Sequence, residues 1–285
     1  MAAREPFLAA CVQMRAGLSR RRNVEDACAL IAEAAGRGAR LIATPEMTNV
    51  LDRDPDRMFA DLPEEKDLEE IETFAEAARR HGAWLLIGSM AVRIGARRAA
   101  NRGFLYAPDG SIAARYDKIH MFDVQLSDGE TWRESNVYAP GEEAVVVETP
   151  LAVFGLTICY DVRFARLYRT LAQAGAQVLC VPAAFTRQTG EAHWHALLRA
   201  RAIENGAFVV APAQGGKHED GRATFGHSLI VDPWGKILAE AEGDAPGVIL
   251  GEIDPQKSRE ARERIPNLGL ERAMKLRTIR HGEPI

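Results

Sequence analysis

Two apolar rhythms alternate along this chain from one end to the other. Short apolar runs or alternations at residues 7–14, 40–44, 84–92, 101–107, 112–116, 151–158 and 177–182 predict strands, as do 207–213, 228–231, 237–241 and 247–253. Between them the apolar positions recur at helical spacing in 23–35, in 164–174, in about 192–204, and at Leu68, Ile71, Phe74, Ala75 and Ala78. A further helix is expected from Pro255. Pro108-Asp109-Gly110 and Asp232-Pro233-Trp234-Gly235 are turn signals between paired strands. Residues 119–143 form a long polar stretch, and loops of that length inside a compact domain usually carry function.

Helices that cluster between strands imply an α/β fold in which two sheets are covered by outer helices. No Ser/Gly linker, repeat or compositional break divides the sequence, so a single domain over residues 1–285 is expected.

Charge narrows the function. A net charge of -4 offers no bulk attraction for nucleic acid or an anionic membrane surface, and the clusters Arg20-Arg21-Arg22 and Arg97-Arg98 read as solvated loops. The first 14 residues lack a long apolar core and no later segment reaches membrane-span length, which points to a cytoplasmic protein. Cys11, Cys28, Cys159 and Cys180 are scattered without the paired spacing of a zinc or redox site, so reduced thiols are expected.

One of those cysteines has unusual surroundings. An apolar run ends in Cys159, a polar turn follows, and an amphipathic segment begins at Phe164. A thiol at such a strand-to-helix turn faces backbone N–H groups and a helix N-terminus, which favour thiolate and can hold an oxyanion. A cysteine ending a strand is most often a packing residue. Company changes that reading: Glu46 ends the run 41–45, and Lys118 follows the run 112–117. Taken singly, Glu46 reads as a helix cap and Lys118 as a solvated or ion-paired charge. Together, carboxylate, ammonium and thiol supply base, cation and nucleophile at strand ends, where α/β folds assemble chemistry.

These residues sit in longer motifs. Pro45-Glu46, Tyr116-Asp117-Lys118-Ile119-His120 and Cys159-Tyr160-Asp161-Val162-Arg163-Phe164 resemble the three signature motifs of the nitrilase superfamily of carbon–nitrogen hydrolases. The resemblance continues, in order, through residues 182–185, 189–194, 198–205, 226–228 and 231–235. It implies a four-layer α-β-β-α sandwich, a small-molecule amide substrate, no metal or organic cofactor, and a homodimer or higher homo-oligomer. It further implies that Glu46 is the general base, Cys159 the nucleophile and Lys118 the cation that stabilises tetrahedral intermediates. Glu134, in Glu134-Ser135-Asn136, matches a second glutamate that orients Lys118 and the substrate. Tyr160 supplies a backbone N–H, and Arg163, Phe185 and Thr189 face the substrate.

Three rivals remain. Seven histidines leave room for a Cys–His site, with His120, His193 and His227 as candidates. His193-Trp194-His195 and the His218 loop match no standard metal spacing. His195 itself departs from relatives, which commonly carry an acidic residue after the His-Trp pair. A non-catalytic module would leave Glu46, Lys118 and Cys159 without a purpose. Arg163 either clamps a substrate carboxylate or pairs with Asp161.

The finer resemblance, carried by residues 213–227, is to the branch that cleaves the amides of deaminated glutathione and 2-oxoglutaramate. The first substrate is the closer match, with Lys217 and Arg222 meeting its far carboxylate. Carbamoyl or nitrile compounds are the family's other options. The segment 264–272 departs from the family's more arginine-rich tail.

Overall fold

In a computed structural model, residues 4–125, 129, 131–279 and 281 are described. Residues 1–3 of the N-terminal segment and residues 126–128 and 130 of the polar stretch therefore lie outside the described residues. The first half of the chain runs β1 (Phe7–Gln13), α1 (Arg20–Gly36), β2 (Leu41–Ala43), α2 (Pro55–Asp61), α3 (Glu70–His81), β3 (Trp84–Gly95), β4 (Arg98–Tyr106) and β5 (Ile112–Asp117). Short strands follow: β6 (Asp123–Gln125), β7 (Thr131–Arg133), β8 (Tyr138–Ala139) and β9 (Val145–Glu148). The second half runs β10 (Val153–Leu156), α4 (Ala165–Gln173), β11 (Val178–Cys180), α5 (Arg187–Asn205), β12 (Phe208–Ala211), β13 (Gly215–Lys217) and β14 (Ala223–Phe225). It ends with β15 (Leu229–Val231), β16 (Ile237–Glu240), β17 (Gly247–Ile253) and α6 (Pro255–Arg264).

Two large sheets result. The first is ordered β17-β1-β2-β3-β4-β5, with β8 also pairing β4, and the second β16-β15-β12-β11-β10-β9. Strand alternation sorts the layers. In β1, Ala9 and Cys11 point into a core shared with Phe154, Val178 and Val210 of the second sheet, whereas Ala10 and Val12 pack under α1 and α3 with Ile31 and Phe74. The helices α4 and α5 cover the other side through Tyr168, Leu171, Trp194 and Leu198, all buried. The α-β-β-α sandwich is thus formed by alternation in the strands and one apolar stripe per helix.

Differences from the sequence reading have local causes. Arg20-Arg21-Arg22 opens α1, with Ser19 accepting from Arg22 N; Arg21 and Arg22 are exposed, while Arg20 is half-buried and paired with Glu70. Asp54 caps α2 and Pro55 begins it, a start signal that the polar surroundings hid. Helix α5 starts five residues earlier than its apolar repeat, at Arg187, and includes Gly190 because any Cβ there would strike Phe225. The triplet Val145–Val147 forms β9, and part of the 213–227 segment folds as the β13–β14 hairpin. Described residues of the 119–143 stretch contain β6, β7, β8 and a 3₁₀ turn at Glu134–Asn136. All four cysteines are free, and no described helix is long and apolar enough to cross a membrane.

Candidate active site

Three strand ends and one 3₁₀ turn converge on a buried polar cluster. Glu46 follows β2, in a turn braced by a register shift of β3 between Ile87 and Met90. Met47 N donates to Ser89 Oγ at 3.0 Å and Thr48 N to Ser89 O at 2.8 Å, while Met47 takes a left-handed φ of 57°. Gly88 is required in this shift: a Cβ would lie 2.1 Å from Thr44 O and 2.4 Å from Pro182 Cβ. From the other half of the chain, buried Gln214 donates to the Glu46 carbonyl at 3.0 Å. Glu46 is therefore fixed from both halves of the chain.

Lys118 follows β5 and is 2% exposed, a burial tolerated only with full pairing. Its Nζ donates to Glu46 Oε1 at 2.8 Å and to Glu134 at 2.8 and 3.0 Å. Glu134 Oε2 also accepts from Phe122 N at 2.6 Å, and Glu46 Oε2 from Ala184 N at 2.9 Å. Asn101 joins both carboxylates, donating to Glu46 at 2.8 Å and Glu134 at 3.2 Å. Sequence reasoning missed Asn101. A polar side chain inside the apolar run 101–107 was the available signal, since a buried amide needs partners.

Cys159 lies three residues beyond β10, with a φ of 49° that few side chains adopt and its N–H donating to Pro182 O at 2.8 Å. Its buried thiol lines the same cavity as Glu46 and Lys118, and the charges of both act on it. Burial, followed by the Glu46 charge, pushes that thiol well above its ordinary value, and Lys118 opposes without reversing the shift. The expectation of a thiolate is corrected here. Cys159 opens a five-residue 3₁₀ turn, α4 begins only at Ala165, and the Glu46 charge acts on the thiol more strongly than Lys118 does. Burial alone would raise the Glu46 carboxyl, but the Lys118 charge and bonds from Lys118, Cys159 and Asn101 hold it below the ordinary value. Burial alone would lower the Lys118 ammonium, but Glu134 and Glu46 hold it well above. These directions favour an ionised carboxylate, an ammonium and a neutral thiol around one cavity.

A cavity opens over these groups. Glu46, Lys118, Glu134, Cys159, Tyr160, Phe185 and Thr189 all line it; Arg163 does not. Arg163 lies behind two of the walls, 5.3 Å over the Phe185 ring and 5.9 Å over the Tyr160 ring, with its nitrogens 3.3 and 3.4 Å from His193 Nδ1. Asp161 is buried and accepts from Tyr116 Oη at 2.7 Å and Ile158 N at 2.9 Å, and contacts His120 Nδ1 at 2.7 Å. Among the described residues no histidine lines the cavity, which removes the Cys–His rival on geometry.

The cavity mouth is basic and aromatic. Arg53 and Arg222 stack on the Trp132 ring, at 4.8 and 5.0 Å, and all three side chains line the cavity. Arg222 is also held by Asp220, at 2.6 Å. Lys217, exposed on β13, does not line the cavity. His218 is a buried strut, with Nδ1 2.8 Å from Ala16 O and Nε2 2.7 Å from Thr224 Oγ1.

Comparison with known proteins agrees with this geometry. The family described as Carbon-nitrogen hydrolase matches residues 8–263. A deaminated glutathione amidase of Synechocystis sp. is 41% identical over 277 residues, 93% of this chain and 97% of its own length. The omega-amidase NIT2 of Mus musculus is 35% identical over 280 residues, covering 98% of this chain and 99% of its own. The crystal structure of the C. elegans NitFhit protein superposes with a TM-score of 0.88 at 34% identity, over 95% of this chain and 66% of that longer one. This chain belongs to the carbon–nitrogen hydrolase family. Within it, the chain is an amide-hydrolysing enzyme.

Proposed function

We propose that the protein hydrolyses the amide of deaminated glutathione through a thioester on Cys159, giving 2-oxoglutarate and cysteinylglycine. The observation that carries the chemistry is the buried Cys159 thiol sharing one cavity with the ion-paired Glu46 and Lys118. As the sulfur attacks the amide carbonyl, its proton passes to Glu46, and Lys118 with the Tyr160 backbone N–H stabilises the oxyanion. The C–N bond then breaks, and Glu46 returns the proton to the departing amine. In the second half Glu46 takes a proton from water, hydroxide adds to the thioester, and the thiol leaves reprotonated. Glu134 and Asn101 hold Lys118 and Glu46 in place throughout. Every step is proton transfer or acyl transfer among groups lining one cavity, so the scheme uses no cofactor.

Substrate choice rests on the mouth. Arg53 and Arg222, both against the Trp132 ring, suit a carboxylate carried some distance from the scissile amide. A dipeptide leaving group places its carboxylate there, and the relatives named deaminated glutathione amidase favour the same reading. The likeness to an omega-amidase keeps 2-oxoglutaramate as the second reading. Because Arg163 stands behind Phe185, it shapes the wall and supplies positive potential; Arg222 takes the direct contact.

The test is kcat/KM on deaminated glutathione and 2-oxoglutaramate side by side, with Cys159→Ala as the blank. A clear preference for the longer substrate supports the proposal. A preference for 2-oxoglutaramate replaces it with the second reading.

A further inference from the structure

Away from the cavity, three side chains far apart in sequence meet beside the edge strand of the second sheet. His195 lies on α5, His227 between β14 and β15, and Glu240 at the end of β16. His195 Nε2 is 2.7 Å and His227 Nδ1 3.1 Å from the same carboxylate oxygen, Glu240 Oε1. All three ligand atoms lie within 4.8 Å of one another.

These arms are held in place by the fold. His227 sits at φ 53°, its carbonyl accepts from Trp194 Nε1 at 2.8 Å, and its ring stacks on Phe225 with centroids 4.3 Å apart. The His195 ring meets the edge of the same Phe225 at 6.0 Å. A surface ion pair needs one imidazole. Here two converge on one oxygen, and neither takes part in the hydrolysis. Nitrogen and oxygen ligands about 2.0–2.1 Å from a tetrahedral ion stand roughly 3.3–3.4 Å apart. The two pairs on Glu240 therefore open by tenths of an ångström, while the two imidazole nitrogens, within 4.8 Å of each other, turn toward that spacing. The side chains are 36%, 29% and 32% exposed, which admits a water as the fourth ligand.

We propose that His195, His227 and Glu240 form a surface site for a borderline divalent transition ion of the zinc class. Two imidazoles and one carboxylate suit such an ion, whereas magnesium and calcium require more oxygen ligands than the cluster offers. On binding, each imidazole presents a lone pair at the nitrogen now facing Glu240, and its proton moves to the other ring nitrogen. The ion ties α5, the β14–β15 link and β16 together.

The test is calorimetric titration of Zn²⁺ into the full chain carrying Cys159→Ser, which removes the cavity thiol as a competing ligand, with Mg²⁺ as control. One zinc per chain should bind with micromolar affinity and raise Tm, and Mg²⁺ should do neither. His195→Ala and the shape-preserving Glu240→Gln should each weaken zinc at least about tenfold and abolish the Tm rise. Absence of binding up to about 1 mM Zn²⁺ overturns the proposal. So does zinc binding that is undiminished in both variants, because the ion then sits elsewhere.

Discussion

The floor and the mouth of the cavity are built in opposite ways. At the floor, Glu46, Lys118, Glu134 and Asn101 are tied by short hydrogen bonds beside Cys159, and Glu46 and Lys118 are almost wholly buried. Their backbone is pinned by a strand register shift and by left-handed turns at Met47 and Cys159. At the mouth, Arg53 and Arg222 both lie against one indole. Buried charges hold geometry because each depends on its partner, whereas at the mouth Arg53 is exposed and Arg222, held by Asp220, directs its positive potential into the cavity. The floor is suited to one reaction. The mouth is suited to choosing its substrate.

This contrast breaks most visibly at the nucleophile. Cys159→Ala should lower turnover on every substrate by at least about 10⁴-fold, with Tm unchanged by calorimetry. Full retained activity would remove the floor from the chemistry.

Glu46→Gln should cost about 10³-fold in kcat/KM on long and short substrates alike, since the amide cannot accept the thiol proton. The pH profile carries the same information. The active form pairs ionised Glu46 with neutral Cys159. Glu46 is held below its ordinary value of 4.5, and Cys159 and Lys118 lie well above 9.0 and 10.5. Activity should therefore be flat through neutrality and fall on the acid side only below pH 4.5. Glu134→Gln removes an anion that raises Lys118, so its alkaline limb should move to lower pH.

Gly88→Ala tests whether the strand register shift supports the floor. Its methyl meets Thr44 O and Pro182 Cβ, so stability should drop by about 2 kcal/mol in urea unfolding. Activity on both substrates should fall in proportion, because the Glu46 turn must shift. An unstrained, fully active variant would show that the turn holds without the close approach.

Much of the floor was legible in the chain because each of its strand runs ends in a reactive residue. The sandwich was legible for the same reason, through alternation in strands such as β1. Asn101 was hidden because one amide inside an apolar run looks like a packing exception until the carboxylates beside it are seen. The protonation state of Cys159 was hidden because it depends on burial and on Glu46, which lies 113 residues earlier and meets the thiol only after folding. Arg163 was misjudged in reach: four positions after the nucleophile sounds adjacent, yet the turn carries it behind Phe185. Spacing rules also gave no metal cluster, since His195, His227 and Glu240 come from three separate elements.

The division of labour between floor and mouth is tested most directly by Arg222→Gln, measured as the ratio of kcat/KM for deaminated glutathione to that for 2-oxoglutaramate. A ratio within one variant cancels any loss of folded enzyme. The account predicts that the ratio falls about tenfold or more, through KM for the longer substrate, while 2-oxoglutaramate is cleaved as before. An unchanged ratio would contradict it, and would move substrate choice from the mouth to the walls around Cys159.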